Sequence, residues 1–249
     1  MCNKETCQNK SNVKIPRKGC KDMWNAFMVS QADFSSKTDM PVCFSTSKEP
    51  PSQLISYADA KAIYKTEIRR KHYNFHINAF IHFYIDDQKF DGKKSSIWLY
   101  PNRALRIIKH FDGIITPDFS TNADFPEPLK CFNTYRMRAF GCWLNQLKIP
   151  VINNVRWGTM ETWHYCFDGI PSNSIVAIGT VSSGLKLLSS RPDFEFGLEK
   201  MIKVLKPHTI IIYGSDKYIF FDKLKSNGIN IISFPSKTSE IFARRKDNV

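Results

Sequence analysis

The segment FDGIITPDFST (residues 111–121) decides how this chain folds, together with NVRW (154–157) further along. In the first segment an apolar run stops just before Asp118, which is typical of a buried strand that delivers a carboxylate to its C-terminal end. The second segment closes another apolar run with Arg156 and Trp157. Parallel α/β sheets keep their sites at the C-terminal ends of their strands. These two segments therefore predict an acid, an arginine and an aromatic ring at one rim.

Strand-like and helix-like segments alternate on both sides of this region. Apolar and β-branched runs predict strands near 79–85, 113–117, 151–155, 174–180, 209–213 and 230–234. Amphipathic spacing predicts helices between them, with Ser56 and Ser215 as N-caps, Pro101 and Pro192 at helix starts and Gly228 after a helix end. This alternation predicts an α/β fold with a mostly parallel sheet from repeated βα units, either open and doubly wound or barrel-like.

The composition changes at both ends of the chain. Residues 1–50 are rich in Lys, Asn, Ser and Thr, and Glu49-Pro50-Pro51 closes them like a linker. We therefore expect an irregular basic N-terminal arm over 1–53, an α/β domain over 54–235 and a basic C-terminal tail over 236–249.

The positive charge is concentrated toward those ends. The formal charge is +13; residues 1–74 hold 13 Lys and Arg against 7 Asp and Glu, and residues 236–249 hold 4 against 2. Basic ends on a milder core favour a polyanionic partner such as nucleic acid, with DNA expected rather than RNA. The alternative is that a lysine-rich surface only keeps the protein soluble.

The cysteine content and the hydropathy pattern predict a reduced environment. The seven cysteines are an odd number, and no apolar leader precedes the first charges, so we expect the host cell cytoplasm. A run of about 18 apolar residues is missing, so we expect no membrane span. A zinc site at Cys2, Cys7 and Cys20 is not favoured, because no CxxC pair occurs.

Three aspartates are the candidate catalytic residues. Asp86 and Asp87 follow the strand near 79–85, and Asp118 follows the next strand. Carboxylates at one rim could hold Mg²⁺ for phosphoryl chemistry, with Asp86 and Asp118 as candidate metal ligands and Arg156 stabilising developing negative charge. The alternative is structural: Asp118 caps a turn and Asp86 pairs with a lysine.

Candidate contacts to nucleic acid or phosphate lie on the predicted helix 128–148 and at the rim. Lys130, Asn133 and Arg136 follow one another at three-residue intervals, a pattern that usually indicates a solvent-exposed face. Arg156 suits a phosphate and Trp157 a base, although a tryptophan at a strand end is more often part of the core. The full candidate set is Lys130, Asn133, Arg136, Arg138, Arg156, Trp157 and Ser215.

Familiar nucleotide and hydrolase signatures (GxxxxGK[ST], GxGxxG, GxSxG and HExxH) do not occur. Six separated segments, spanning about 54–235, instead resemble the domain-of-unknown-function 4417 family in order and spacing: HFYIDDQKF (82–90), IITPDFST (114–121), NTYRMRA (133–139), NVRWG (154–158), CFDGIP (166–171) and VAIGTV (176–181). The resemblance implies a phage or mobile-element origin and brings no established activity.

The sequence is compatible with three functions, and only one of them requires the chain to be an enzyme. The first is nucleic-acid binding through the basic ends and the polar rim. The second is a Mg²⁺-dependent phosphodiesterase or nuclease that uses the rim aspartates. The third is a non-catalytic phage effector of the anti-defence type that binds a host protein or a nucleotide signal.

Overall fold

A computed structural model describes residues 24–181, 183–185, 187, 190–239 and 241. Within them the strands are β1 (Leu54–Ser56), β2 (Ile77–His82), β3 (Phe111–Ile115), β4 (Val151–Asn154), β5 (Ile175–Gly179), β6 (Thr209–Tyr213) and β7 (Asn230–Phe234). The α-helices are α1 (Tyr57–Arg69), α2 (Pro101–Ile108), α3 (Glu127–Gln146), α4 (Trp163–Cys166), α5 (Arg191–Leu205) and α6 (Ile219–Ser226). Short 3-10 turns cover Ala26–Val29, Asp87–Lys89 and Met160–Thr162.

Local sequence signals explain most of these boundaries. Ser56 caps α1 as predicted, because its hydroxyl accepts a hydrogen bond from the Asp59 amide at 3.1 Å. Pro101 is the first residue of α2, and Gly228 has the left-handed φ of 84° expected after a helix end. The predicted cap at Ser215 is wrong, since α6 begins at Ile219.

The strands pair in sequence order from β1 to β7, and every neighbouring pair is parallel. This confirms the predicted α/β fold with a parallel sheet. A doubly wound sheet reverses its strand order at a switch point, and this sheet does not. The doubly wound alternative is therefore wrong.

Ring contacts across the sheet show that it is curled. Tyr213 on β6 lies 4.3 Å from the ring of His82 on β2 and 5.2 Å from the ring of Tyr84, measured between centroids. Neighbouring strands lie about 4.8 Å apart, so β2 and β6 would be about 19 Å apart in a flat sheet. The sheet must bend round for these rings to meet, which gives the barrel-like form.

Alternation along the strands fills the two faces of the curled sheet. One set of side chains points inward and forms a single cluster: Phe80, Ile115, Ile152, Ile175, Ala177 and Ile211. The alternate residues, such as Ile114, Val176 and Ile210, pack outward with the helices. β1 and β7 are the edges and do not pair, but the Lys237 ammonium, just after β7, lies 3.0 Å from the Asp59 carboxylate on α1.

The described part of the expected N-terminal arm packs on the domain. Met28, Val29 and Cys43 are buried in the outer core. The Cys43 amide donates to the Gly169 carbonyl at 2.8 Å, and the Asn153 side-chain amide donates to the Cys43 carbonyl at 2.7 Å. Residues 1–23 and 242–249, with most of the expected basic arm and tail charges, lie outside the described residues, as do Cys2, Cys7 and Cys20.

Among the described residues, no helix combines the length and the apolar character that a membrane crossing requires.

The enclosed position of His82 predicts a pH-dependent stability. Burial lowers the pKa of His82 to about 4 from its ordinary value of 6.5, and the nearby Asp59 carboxylate opposes the shift. Between these two pH values the unfolded chain binds a proton here that the folded chain does not. The free energy of unfolding should therefore fall as the pH falls through this window, by up to about 3 kcal/mol.

Urea unfolding at several pH values checks this expectation. His82→Asn should flatten the fall in stability relative to the unmodified chain, whereas His208→Asn, at an exposed histidine, should leave it unchanged. An equally steep fall in the His82→Asn variant would contradict the assignment.

Candidate functional site

A pocket of about 270 Å³ opens at the C-terminal ends of β3, β4 and β5. This is the rim where the sequence predicted a site. One side of the pocket is polar and the other is aromatic. Its lining includes Asp118, Thr121, Asn122, Asn154, Arg156, Trp157, Gly179, Ser183, Ser190, Asp193 and Phe194.

The polar side is organised around an ion pair between Asp118 and Arg156. One Asp118 oxygen lies 2.7 Å from the Arg156 guanidinium, and the other accepts from the Asn154 side-chain amide at 2.8 Å. The guanidinium also donates to Thr121 Oγ1 at 3.2 Å and to Asn122 Oδ1 at 3.4 Å. Arg156 retains a side-chain exposure of 26%, so a ligand in the pocket can reach it.

Tyr84 fixes the orientation of Asn154. Burial raises the pKa of the Tyr84 hydroxyl, so the group stays protonated and donates to Asn154 Oδ1 at 3.0 Å. The amide nitrogen of Asn154 must therefore point toward Asp118. This chain of hydrogen bonds joins the interior of the sheet to the pocket.

The apolar side of the pocket is formed by Trp157 and Phe194. Their ring centroids lie 5.0 Å apart, and Trp157 also packs 6.1 Å from Phe167. Gly197 on α5 makes room for the indole, because a Cβ at that position would collide with the Trp157 ring. The indole is therefore held by α5 and at the same time lines the pocket.

The candidate aspartates occupy different environments. Asp86 is exposed and caps the 3-10 turn, accepting from the Gln88 amide at 2.8 Å. Asp87 is half-buried and accepts from the Ser120 amide at 3.1 Å. Burial raises the pKa of Asp87, the charge of Asp118 raises it further, and Ser120 and Arg156 oppose the shift. Asp87 thus contacts the segment that carries Asp118, through Ser120, whereas Asp86 caps its own turn.

Across the part of the chain that the structure describes, no three or more His, Cys, Asp and Glu side chains converge in a metal-binding arrangement. A Mg²⁺ at this rim would rely on Asp87 and Asp118, with water completing its coordination. Mg²⁺ commonly keeps several water ligands and takes only one or two carboxylates. Both Asp118 oxygens already accept from Asn154 and Arg156, so an ion here would displace one of these partners.

The expectation that Lys130, Asn133 and Arg136 form an exposed face is wrong, because all three are buried. Lys130 pairs with Glu127 at 3.0 Å. Arg136 binds Asp91 at 2.7 Å and the Asn133 side-chain oxygen at 2.6 Å, and its guanidinium lies 3.8 Å above the Phe119 ring. Arg136 and Asn133 thus hold the loops that carry Asp91 and Ser120, since the Asn133 side-chain amide donates to the Ser120 carbonyl.

Arg138 is fully buried beneath the same rim. Its guanidinium donates to three backbone carbonyls, those of Cys166 at 2.8 Å and of Asn154 and Asp168 at 3.3 Å each. It therefore joins α3 to the end of β4 and to the segment after α4. Ser215 is exposed after β6, where its hydroxyl accepts from the Lys217 amide at 3.2 Å.

Thr121, Asn122 and Asn154 line the pocket but were not among the sequence candidates, and neither was Tyr84, which orients Asn154. One signal could have found Asn154, because two asparagines inside the short apolar strand VINNV are unusual for a buried strand. Alternation then places Asn154 on the same inward face as Ile152. Thr121 and Asn122 lie in a loop, where the sequence has no periodic pattern that predicts which way their side chains point.

Comparison with known proteins gives a family and distant relatives. A family model described as a domain of unknown function (DUF4417) matches residues 32–235. The "Gene 1 protein" of Mycobacterium phage L5 is 35% identical over 137 residues, which is 54% of this chain and 56% of that protein. The "Gene 1 protein" of Mycobacterium phage D29 is 33% identical over 141 residues, 55% of this chain and 49% of that protein.

The chain thus spans about half the length of the curated relatives it matches. No solved structure matches it. The family match confirms the resemblance found in the six sequence segments, and it extends to residue 32, into the segment that was expected to be an arm.

The contact between Gly197 and Trp157 gives a test of the pocket wall. By helix propensity alone, Gly197→Ala should stabilise α5 by about 1 kcal/mol. The added methyl group collides with the indole, and overpacking costs about 1–3 kcal/mol, so we expect a net loss of stability in urea unfolding. In a Trp157→Ala background the same change should stabilise the protein, and destabilisation in both backgrounds would contradict this packing.

Proposed function

The chain belongs to the domain-of-unknown-function 4417 family, and we propose that it is a phage or mobile-element protein that binds nucleic acid, with the rim pocket receiving one nucleotide. The observation that carries this proposal is the two-sided pocket. Arg156 and the neighbouring amides and hydroxyls suit a phosphate and a sugar, and the Trp157–Phe194 wall suits a base.

The size of the pocket favours a single unit of a strand. Ligand pockets for small molecules span roughly 300–1,000 Å³. The cavity of about 270 Å³ lies just below this range, which suits one nucleotide but not a duplex. We therefore propose that the pocket takes an unpaired or extruded nucleotide of a DNA strand.

The ion pair between Asp118 and Arg156 sets the electrostatics of binding. A phosphate that enters the pocket competes with Asp118 for the guanidinium, and arginine recognises either group with two parallel hydrogen bonds. Asp118 keeps its bond from Asn154 when Arg156 turns to the ligand, so it is not left unpaired. The formal charge of +13 adds a long-range attraction for the strand.

Binding of labelled single-stranded DNA, duplex DNA and RNA, followed by fluorescence anisotropy, tests the proposal. We expect single-stranded DNA to bind most tightly and its affinity to fall steeply with salt, because phosphate contacts release counterions. Arg156→Ala should weaken binding about tenfold or more, since a hydrogen bond to a charged group contributes about 1.5–3 kcal/mol.

Lys225→Ala is the matched control, because Lys225 is likewise an ion-paired cation but lies on α6, outside the pocket lining. It should bind like the unmodified chain. Affinity that does not change with salt, or an equal loss in both variants, would overturn the proposal. Failure of all three probes would favour a free nucleotide or a host protein as the ligand.

A second candidate function is a Mg²⁺-dependent phosphodiesterase or nuclease. The observation that favours it is geometric: Asp87 accepts from the Ser120 amide, two residues after Asp118, and Asp118 pairs with Arg156, while the charge of Asp118 helps to raise the pKa of Asp87. Two carboxylates could bind Mg²⁺ against a phosphate, and the arginine could stabilise the developing charge. Activity in this form would need both aspartates ionised.

Cleavage of the same labelled strands with Mg²⁺ or with EDTA separates this candidate from binding alone. If the candidate is correct, cleavage requires Mg²⁺, and Asp118→Asn abolishes it because one of the two ligand charges is lost. Asp86→Asn should retain activity, because Asp86 caps its own turn. Unchanged activity in the Asp118→Asn variant would remove the candidate.

A further inference from the structure

A row of like charges runs along α1. Lys61, Lys65 and Arg69 are spaced four residues apart, which places them on one helical face about 6 Å apart along the axis. Lys65 and Arg69 are exposed, and Lys61 is partly exposed. Arg70 and Lys71 extend the positive charge beyond the end of the helix.

A second row runs along α2. Arg103, Arg106 and Lys109 are spaced three residues apart and all three are exposed. α2 contains no acidic residue that could alternate with them. The Arg103 guanidinium lies 4.3 Å above the ring of Tyr100, which leaves its donors free for another group.

The fold places the two helices that carry these rows side by side. α1 packs against α2, and the ring of Tyr64 on α1 lies 5.6 Å from the ring of His110 just after α2. Each helix connects two neighbouring parallel strands, so both run in the same direction along the outside of the sheet. We call the combined set Lys61, Lys65, Arg69, Arg103, Arg106 and Lys109 the basic surface.

The acids nearby do not neutralise the basic surface. Glu67 pairs with Arg70 and His72, and Asp59 pairs with Lys237. Among the residues that the structure describes, none of the six cations of the basic surface forms an ion pair. Their charge therefore remains available to a partner.

This arrangement works against the stability of the helices. Like charges three or four residues apart on a helix repel, and each row contains two such steps. The helix dipole explains cations only near the C-terminal ends, which leaves the middle residues Lys61 and Lys65 and the first-turn residue Arg103 unexplained. A sequence that keeps a local conflict of this kind is typical of a functional surface.

We propose that the basic surface binds the phosphate backbone of nucleic acid. This inference rests on the proposed function and names the surface that grips the polymer, separate from the rim pocket. Each strand of a duplex carries one phosphate for about every 3.4 Å of the duplex axis, so cations about 6 Å apart on α1 and about 4.5 Å apart on α2 are dense enough to contact several phosphates of one strand. Contacts of this kind hold the strand without reading its sequence.

The test removes the middle charge of each row in the double variant Lys65→Glu, Arg106→Glu. We expect it to bind single-stranded and duplex DNA at least tenfold more weakly. The slope of log affinity against log salt should become shallower by about two, since two phosphate contacts are lost. The matched control is Lys200→Glu, Lys203→Glu on α5, which changes the charge equally and should bind like the unmodified chain.

A second measurement separates binding from damage to the fold. Lys65→Glu alone places an acid between Lys61 and Arg69, so its melting temperature should rise while its affinity for DNA falls. Lower affinity together with a lower melting temperature would indicate a structural role and overturn the proposal.

The outcomes also distinguish this inference from the proposed function. Suppose that the unmodified chain binds DNA and that the Lys65→Glu, Arg106→Glu variant binds equally well, or no worse than the α5 control. The proposal for the basic surface is then overturned, and the proposal for the pocket is retained. If Arg156→Ala binds normally while the double variant fails, the pocket is overturned and the basic surface stands. If the unmodified chain binds no nucleic acid but binds anionic lipid vesicles, both are overturned.

Discussion

The buried guanidinium of Arg138 is the interaction on which the rim pocket depends. A fully buried cation is costly unless its donors are satisfied, and here three backbone carbonyls supply the partners that a carboxylate would otherwise provide. One of those carbonyls belongs to Asn154, so the same arginine sets the end of β4. From that end the chain presents Asn154, Arg156 and Trp157 to the pocket. The positions of these pocket-lining groups therefore follow from a charge that lies outside the pocket lining.

Around Arg138, the curled sheet keeps its apolar core residues apart from the polar residues that line the pocket. Apolar residues fill its interior and the space beneath its helices, and the polar groups collect where the strands end. Tyr84 connects the two regions, because its ring stacks inside the sheet and its hydroxyl bonds to Asn154 at the rim. A second division concerns charge: the pocket arginine is paired with Asp118, while the six cations of the basic surface form no ion pair within the part of the chain that the structure describes.

The sequence predicted the parts of this structure that depend on local pattern. Strand runs, the Ser56 cap and the meeting of Asp118 with Arg156 at one rim follow from apolar periodicity and parallel topology. β1 was missed because three residues are too few to show a period. The exposure of Lys130, Asn133 and Arg136 was predicted wrongly, because the partners that bury them come from loops about 40 residues away or from the same helix. The basic surface likewise needs two helices side by side, which neither helix reveals alone.

The unpaired edge strands make the local stability of the sheet lower between β1 and β7 than elsewhere. β1 has only three residues, and between β1 and β7 the Lys237–Asp59 ion pair replaces a ladder of backbone hydrogen bonds. Both side chains are well exposed, and exposed ion pairs contribute only about 0–1 kcal/mol. Amide protons beside this seam belong to the part of the fold that opens locally and exchanges with solvent first. Local opening of the sheet is therefore expected between β1 and β7, beside the rings of His82 and Tyr213. The pocket lies on the opposite side of the sheet, at β3 to β5.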